Sequence, residues 1–123
     1  MRVLVTGSRD LKDERTVIEA LHELLDTAIR ERRLPMVVVH GDCPTGADAV
    51  AHGWTRTIRS QYVIEEAHPA DWVRFGKAAG PLRNAHMVSL GADICIAFPR
   101  GESRGTRGCM ELAEAAGIEV DER

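Results

Sequence analysis

Three glycine-bearing segments carry the residues best suited to chemistry. They are Gly7-Ser8-Arg9, Gly41 to Asp48, and Arg100 to Arg107. Each follows a short apolar run, so each is expected to leave the C-terminal end of a strand. Glycine tolerates positive φ and lets backbone N–H groups come close to an anion. The second and third segments lead straight into amphipathic stretches, and helix N-termini attract phosphate. Arg9, Arg100, Arg104 and Arg107 add planar guanidinium forks that match phosphate oxygens. Arg83, beside Asn84, falls in the first turn of a further expected helix and can point to the same edge. Asp42 and Asp48 bring carboxylates suited to ribose hydroxyls or to the amino group of a base; a carboxylate at a helix start also simply suits the dipole. A phosphate cradle is expected from Gly7, Gly46, Gly105 and the Thr106 hydroxyl, with Arg83 as its fixed charge.

Other chemistries fit less well. Gly41 and Gly46 have P-loop spacing, but Ala47-Asp48 stands where Lys-Ser/Thr is required. The first strand–helix turn lacks G-x-G-x-x-G, which argues against an ordinary dinucleotide oxidoreductase. His40, Asp42, Cys43 and His52 match no common zinc spacing, so no metal and no resident cofactor is expected. Cys43 and Cys109 lie near helix starts, which lower a thiol pKa, yet no histidine is placed beside either. Trp72, Phe75 and Lys77 sit in a long connection; Trp72 either covers a base or plugs the core, and the scarcity of other aromatics favours the core.

The elements that must position these residues alternate, as in βαβ units around a parallel sheet. The apolar run Val3–Thr6 is expected to be a strand covered on both faces. A helix follows from Asp13, with Val17, Leu21, Leu24, Leu25, Ala28 and Ile29 inward, and Pro35 stops it. Met36–His40 is the second strand. Ala47, Val50, Ala51, Trp54 and Ile58 share one face of the next helix. A third strand is expected over Tyr62–Glu65, then a connection from His68 to Gly80. Pro81 opens a third helix and Gly91 closes it. Ile94–Phe98 is again apolar throughout. Thr106 opens a last helix with Met110, Leu112, Ala113 and Ala116 inward, and Ile118–Val120 is an edge strand. The expected fold is a three-layer Rossmann-like α/β sandwich of about five parallel strands, order 3-2-1-4-5. In that order the three glycine segments are neighbours at the edge where such sheets bind ligands.

Composition sets outer limits. The 123 residues are expected to form a single domain, residues 1–123. Apolar residues are 44% and charged residues 28%, a globular profile. The net charge of -3 and the aromatic content of 4% argue against a nucleic-acid partner. No apolar run approaches the ~20 residues of a membrane span, so no membrane is expected. Three cysteines without a C-x-x-C pair suit a reducing, cytoplasmic setting.

Taken together the motifs resemble the YspA-like members of the SLOG superfamily, a Rossmann-like group that also holds the DprA/Smf and LOG proteins. The matching residues are Thr6-Gly7-Ser8-Arg9, Gly41-Asp42-Cys43-Pro44-Thr45-Gly46-Ala47-Asp48, Ala70-Asp71-Trp72, Gly76 to Asn84, and Gly105-Thr106. The resemblance implies a nucleotide or nucleotide-derived ligand at the C-terminal edge of the sheet. It also implies pairing into a homodimer; the apolar Trp54 and Met87 are candidates for the paired helix faces, the alternative being that both sit in the core of one chain. In LOG proteins a P-G-G-x-G-T loop binds phosphate, and an Arg with a Glu after that loop supports cleavage of the base–ribose bond. Arg83 matches that Arg. The Glu position is Cys109 here, with Glu111 nearby on another helical face. A binding module is thus favoured over its alternatives. One is a nucleoside 5′-monophosphate phosphoribohydrolase, with Arg83, Asp48 and Glu111 as catalytic candidates. The other is DprA-like binding of single-stranded DNA.

Overall fold

The computed structural model describes residues 1–58 and 61–123. Five strands form one sheet: β1 (Arg2–Gly7), β2 (Met36–His40), β3 (Val63–Ala67), β4 (Ile94–Phe98) and β5 (Glu119–Glu122). All pairings are parallel and the order is β3-β2-β1-β4-β5, as the alternation predicts. Val3 sits between Val38 and Ile94 in register, so β1 lies at the centre.

Val3–Val5, Met36–Val39 and Ile94–Phe98 in the central strands are apolar throughout because helices cover both faces. Val3, Val5, Met36, Val38, Ile96 and Phe98 point to one face, where they pack on α1 (Glu14–Arg30) and α2 (Gly46–Ile58). Leu4, Val39 and Cys95 point the other way, onto α4 (Ala79–Ser89) and α5 (Arg104–Ala115). This is the period-2 alternation of a strand with a core on each side. Leu4 is 1% exposed, and truncating so buried a leucine to alanine costs about 2–5 kcal/mol.

Several boundaries differ from expectation. The third strand starts at Val63 and runs on to Ala67, because Glu65 and Glu66 find partners there and need not end it. The connection after it is not a plain loop: it holds a single helical turn, α3 (Trp72–Phe75), and a 3-10 turn over Gly76–Ala78. Asp71 caps α3 by accepting the Arg74 N–H at 3.1 Å. The helix expected to open at Pro81 starts two residues earlier, at Ala79; proline is still within the first turn, where its missing N–H breaks no bond. The last helix starts at Arg104, and its buried side is Thr106, Cys109 and Ala113. Leu112 and Ala116 face outward, as does Ile29 on α1. Trp54 and Met87 are 4% and 2% exposed, so both belong to the core and offer no surface for pairing.

A charge cluster ties the sheet across β2. Arg2 grips Glu66 with both arms at 3.0 and 2.8 Å, and His68 reaches the same carboxylate at 2.9 Å. The Arg2 guanidinium, then His68, hold the Glu66 carboxyl down at about 2. A carboxyl depressed on folding contributes stability above its unfolded value of 4.5, and that contribution is lost as pH falls from 4.5 toward 2. Glu66→Gln is expected to flatten this acid limb. Urea midpoints at pH 7 and pH 3 check it: the wild type loses more stability between them than the variant.

Candidate functional site

The loops leaving β1, β2 and β4 meet over the start of α4, as the strand order requires. Between them lies a cleft of about 520 Å³. Each wall has a local reason. The first loop is pinned by Ser8, whose N–H donates to the Phe98 carbonyl at 3.0 Å and whose hydroxyl accepts from the Asp10 N–H at 3.2 Å. Gly7 has no room for a side chain, because a Cβ would run into Ala47 and Phe98. Gly46 takes φ 74° and crosses directly over the Ser8 carbonyl. These close approaches draw the α2 N-terminus onto the first loop, with Ala47 N–H donating to Ser8 at 3.4 Å.

Arg83 is the charged centre of the site. Its Nε donates to the Asn84 side chain at 2.8 Å, and its Nη1 donates to the carbonyls of Gly41 and His68. A Cβ at Gly41 would strike the guanidinium, so a side chain there displaces Arg83 from its place. Asn84, 9% exposed, donates in turn to the Gly105 carbonyl at 3.4 Å. One short chain of bonds therefore stitches the β2 loop to the β4 loop. Nη2 makes no hydrogen bond among the described residues, and no carboxylate there lies within ion-pair distance of Arg83. Arg2 and Arg33, in contrast, sit on carboxylates at 2.8 and 2.7 Å. A half-buried guanidinium held rigidly without a counter-charge is a ready anion site.

The α5 N-terminus forms the opposite wall. Ser103, its N-cap residue, is held at φ 45° in the left-handed region, and its buried hydroxyl has no partner among the described residues. Backbone strain and a buried unpartnered hydroxyl thus fall on one residue in the wall of the cleft. The first-turn N–H groups at Arg104, Gly105 and Thr106 precede the first helical bond, which Arg107 makes to Ser103 at 3.0 Å. Gly105 is helical, not at positive φ, and a Cβ there would meet nothing within 4 Å. Gly105 therefore does not use the positive φ that glycine tolerates; the residues of this loop that do are Gly101 and Ser103.

Of the residues singled out from sequence, Gly7, Ser8, Arg9, Gly41, Cys43, Asp48, Trp72, Arg83, Asn84, Arg100, Arg104, Gly105 and Thr106 line the cleft. Gly46 and Ala47 lie behind it as packing. Asp42 is exposed at φ 55° and turns its N–H to His40 Nδ1 at 3.0 Å. Arg107 folds back outside the loop, onto the carbonyls of Glu102 and Gly101 at 3.0 and 3.2 Å. Glu111 is exposed on α5, away from the cleft, while Cys109 is fully buried beneath it. Trp72 is 47% exposed and is not core: its ring lies against Gly80, with the Arg9 guanidinium 5.2 Å above it.

The cysteines and histidines make no nucleophile or metal centre of this cleft. Burial, then the Asp48 carboxylate, pushes the Cys43 thiol up, so it stays protonated near neutral pH. The Cys109 sulfur beside it, then burial, raises the Cys95 thiol. His40, His52 and Glu65 bring ligand atoms within 4.8 Å of one another. Yet Asp42 donates its N–H to His40 Nδ1, so His40 Nε2 carries the proton that it gives to Glu65 at 2.7 Å. No lone pair is left there for a metal. Burial raises the Glu65 carboxyl, but hydrogen bonds from His52 and His40 bring it below its ordinary value.

Comparison with known proteins agrees with this architecture. A family model described as "YspA, cpYpsA-related SLOG family" matches residues 1–75. The Gene 61 protein of Mycobacterium phage D29 is 50% identical over 123 residues, covering 97% of this chain and 93% of that protein. No solved structure matches. The matched segment contains the Thr6–Arg9 and Gly41–Asp48 motifs and Trp72, and the whole-length relative carries the likeness past the β4 loop. The chain belongs to the YspA, cpYpsA-related SLOG family.

Proposed function

We propose that this protein is a binding module for a nucleotide or nucleotide derivative, held by its phosphate at the C-terminal edge of the sheet. The observation that carries this reading is Arg83, fixed by three hydrogen bonds yet without a carboxylate partner among the described residues. A phosphate in front of it also meets the free N–H groups of the first turn of α5. Membership of a SLOG family supports a nucleotide-related ligand. Trp72 supplies an aromatic wall within the same cleft, suited to a base.

Binding without cleavage is the reading we favour. The position of the LOG glutamate is the buried Cys109, and Glu111 points away. Asp48 is the one acidic residue lining the cleft that is itself buried; Asp10 and Glu102 are exposed at the rim. Isothermal calorimetry with the four ribonucleoside 5′-monophosphates tests the first claim, and chromatography of the same mixtures for free base tests the second. The expected outcome is saturable 1:1 binding and no release of base. Absence of binding by any nucleotide contradicts the module; base release at an enzymatic rate contradicts binding without cleavage.

A further inference from the structure

Asp48 is the third residue of α2, is 7% exposed and lines the cleft. A carboxylate so buried normally has a cation or several strong donors. Asp48 has neither. It accepts the Cys43 N–H at 3.3 Å and the Cys43 thiol, a weak donor. No lysine, arginine or histidine among the described residues lies within ion-pair distance of it. An ionised carboxylate offers about four acceptor sites, so acceptor capacity is left over on the side that faces the cleft. A role as helix-start charge alone does not explain the burial, because an exposed aspartate serves the dipole equally well.

The neighbours narrow down what fits. Arg9, Cys43, Asp48 and Arg83 all line this one cleft, so the carboxylate and the guanidinium border the same space. Asp48 repels a phosphate, whereas Arg83 attracts one. A ligand satisfying both carries hydrogen-bond donors close beside its anion. A ribose 5′-phosphate does so, with two vicinal hydroxyls that match the two oxygens of a carboxylate. Resting on the reading above, we infer that Asp48 accepts the sugar hydroxyls of the ligand and makes the cleft selective for ribonucleotides over 2′-deoxyribonucleotides. A deoxy sugar leaves a buried carboxylate oxygen dry, which a site built for the hydroxyl penalises.

The test is calorimetry with AMP, GMP, CMP, UMP and their 2′-deoxy counterparts, on wild type and Asp48→Asn. Asparagine keeps the size and an acceptor oxygen for the Cys43 N–H but removes the charge. For the best-bound base, the ribonucleotide is expected to bind about tenfold more tightly than its deoxy form in the wild type. In Asp48→Asn that ratio falls to about twofold or less, with affinity for the deoxy form retained. Equal wild-type affinity for both sugars overturns the inference and leaves the nucleotide module standing. A preference that survives in a folded Asp48→Asn assigns the selection to another residue and also overturns it. If Asp48→Asn does not fold, the wild-type ratio alone decides. No binding of any nucleotide overturns both claims.

Discussion

Arg83→Ala weakens nucleotide binding roughly ten- to a hundredfold, because a hydrogen bond to a charged group contributes about 1.5–3 kcal/mol. Two effects have to be separated in this variant. Arg83 also donates to the carbonyls of Gly41 and His68, and Gly41 is buried. Leaving a buried carbonyl without its donor costs about 1–3 kcal/mol of stability. The variant is therefore expected to melt earlier as well as bind weakly. Arg83→Lys distinguishes the two contributions: it keeps the positive charge but lacks the rigid fork that reaches Asn84 and Gly41 at once. It should recover part of the affinity at a stability near that of Arg83→Ala. Arg30→Ala is the control. Arg30 is exposed at the end of α1, its recorded contact is with Thr27 at 3.2 Å, and its loss leaves binding unchanged. Calorimetry at a temperature where all variants are folded checks the series; equal affinity of wild type and Arg83→Ala places the anion elsewhere.

Gly46→Val and Gly105→Ala are expected to act in opposite directions. At Gly46 a side chain meets the Ser8 carbonyl and the Arg9 backbone, and φ is 74°. A β-branched residue resists that conformation, and the obstacle is main chain that has no alternative rotamer. The substitution is expected to cost about 3–5 kcal/mol, enough to unfold much of a marginally stable domain. At Gly105 the position is helical and the space beside it is open. Alanine there stabilises the helix by about 0.5–1 kcal/mol. The added methyl group also intrudes on the cleft, so nucleotide binding falls. Thermal melts with and without nucleoside monophosphate read both effects. A stabilised Gly105→Ala with undiminished ligand-induced shift would mean that the α5 N-terminus does not face the ligand.

Much of this architecture is legible in the sequence because it rests on local pattern. The unbroken apolar runs at Val3–Thr6 and Ile94–Phe98 announce strands covered on both faces, and their neighbours in the sheet follow from the alternation. The glycine loops at the strand ends are visible for the same reason. What the sequence hides is direction at single residues. Gly46 and Gly105 look alike in the chain, yet one is a left-handed crossing over Ser8 and the other an open first-turn residue. Arg9, Arg100, Arg104 and Arg107 look equivalent too, but Arg107 braces its loop from outside, whereas Arg9 stacks on Trp72. Trp72 itself reads as core material by composition. Its exposure follows from α3 being a single turn, too short to bury a face. Side-chain direction in a loop depends on tertiary partners such as Gly80, which no local periodicity encodes.

The most direct test of the cleft as the ligand site is a heteronuclear NMR titration of 15N-labelled protein with the ribonucleoside 5′-monophosphates. Glycine amides are well-resolved reporters and lie on both sides of the question. Gly41 and Gly105 line the cleft, together with Ser8 and Thr106. Gly91 and Gly117 line a second, apolar groove between α4 and α5. Binding as described moves the Ser8, Gly41, Gly105 and Thr106 amides in a saturable, concerted way and leaves Gly91 and Gly117 in place. Shifts that concentrate at Gly91 and Gly117 while Gly41 and Gly105 stay fixed would contradict it.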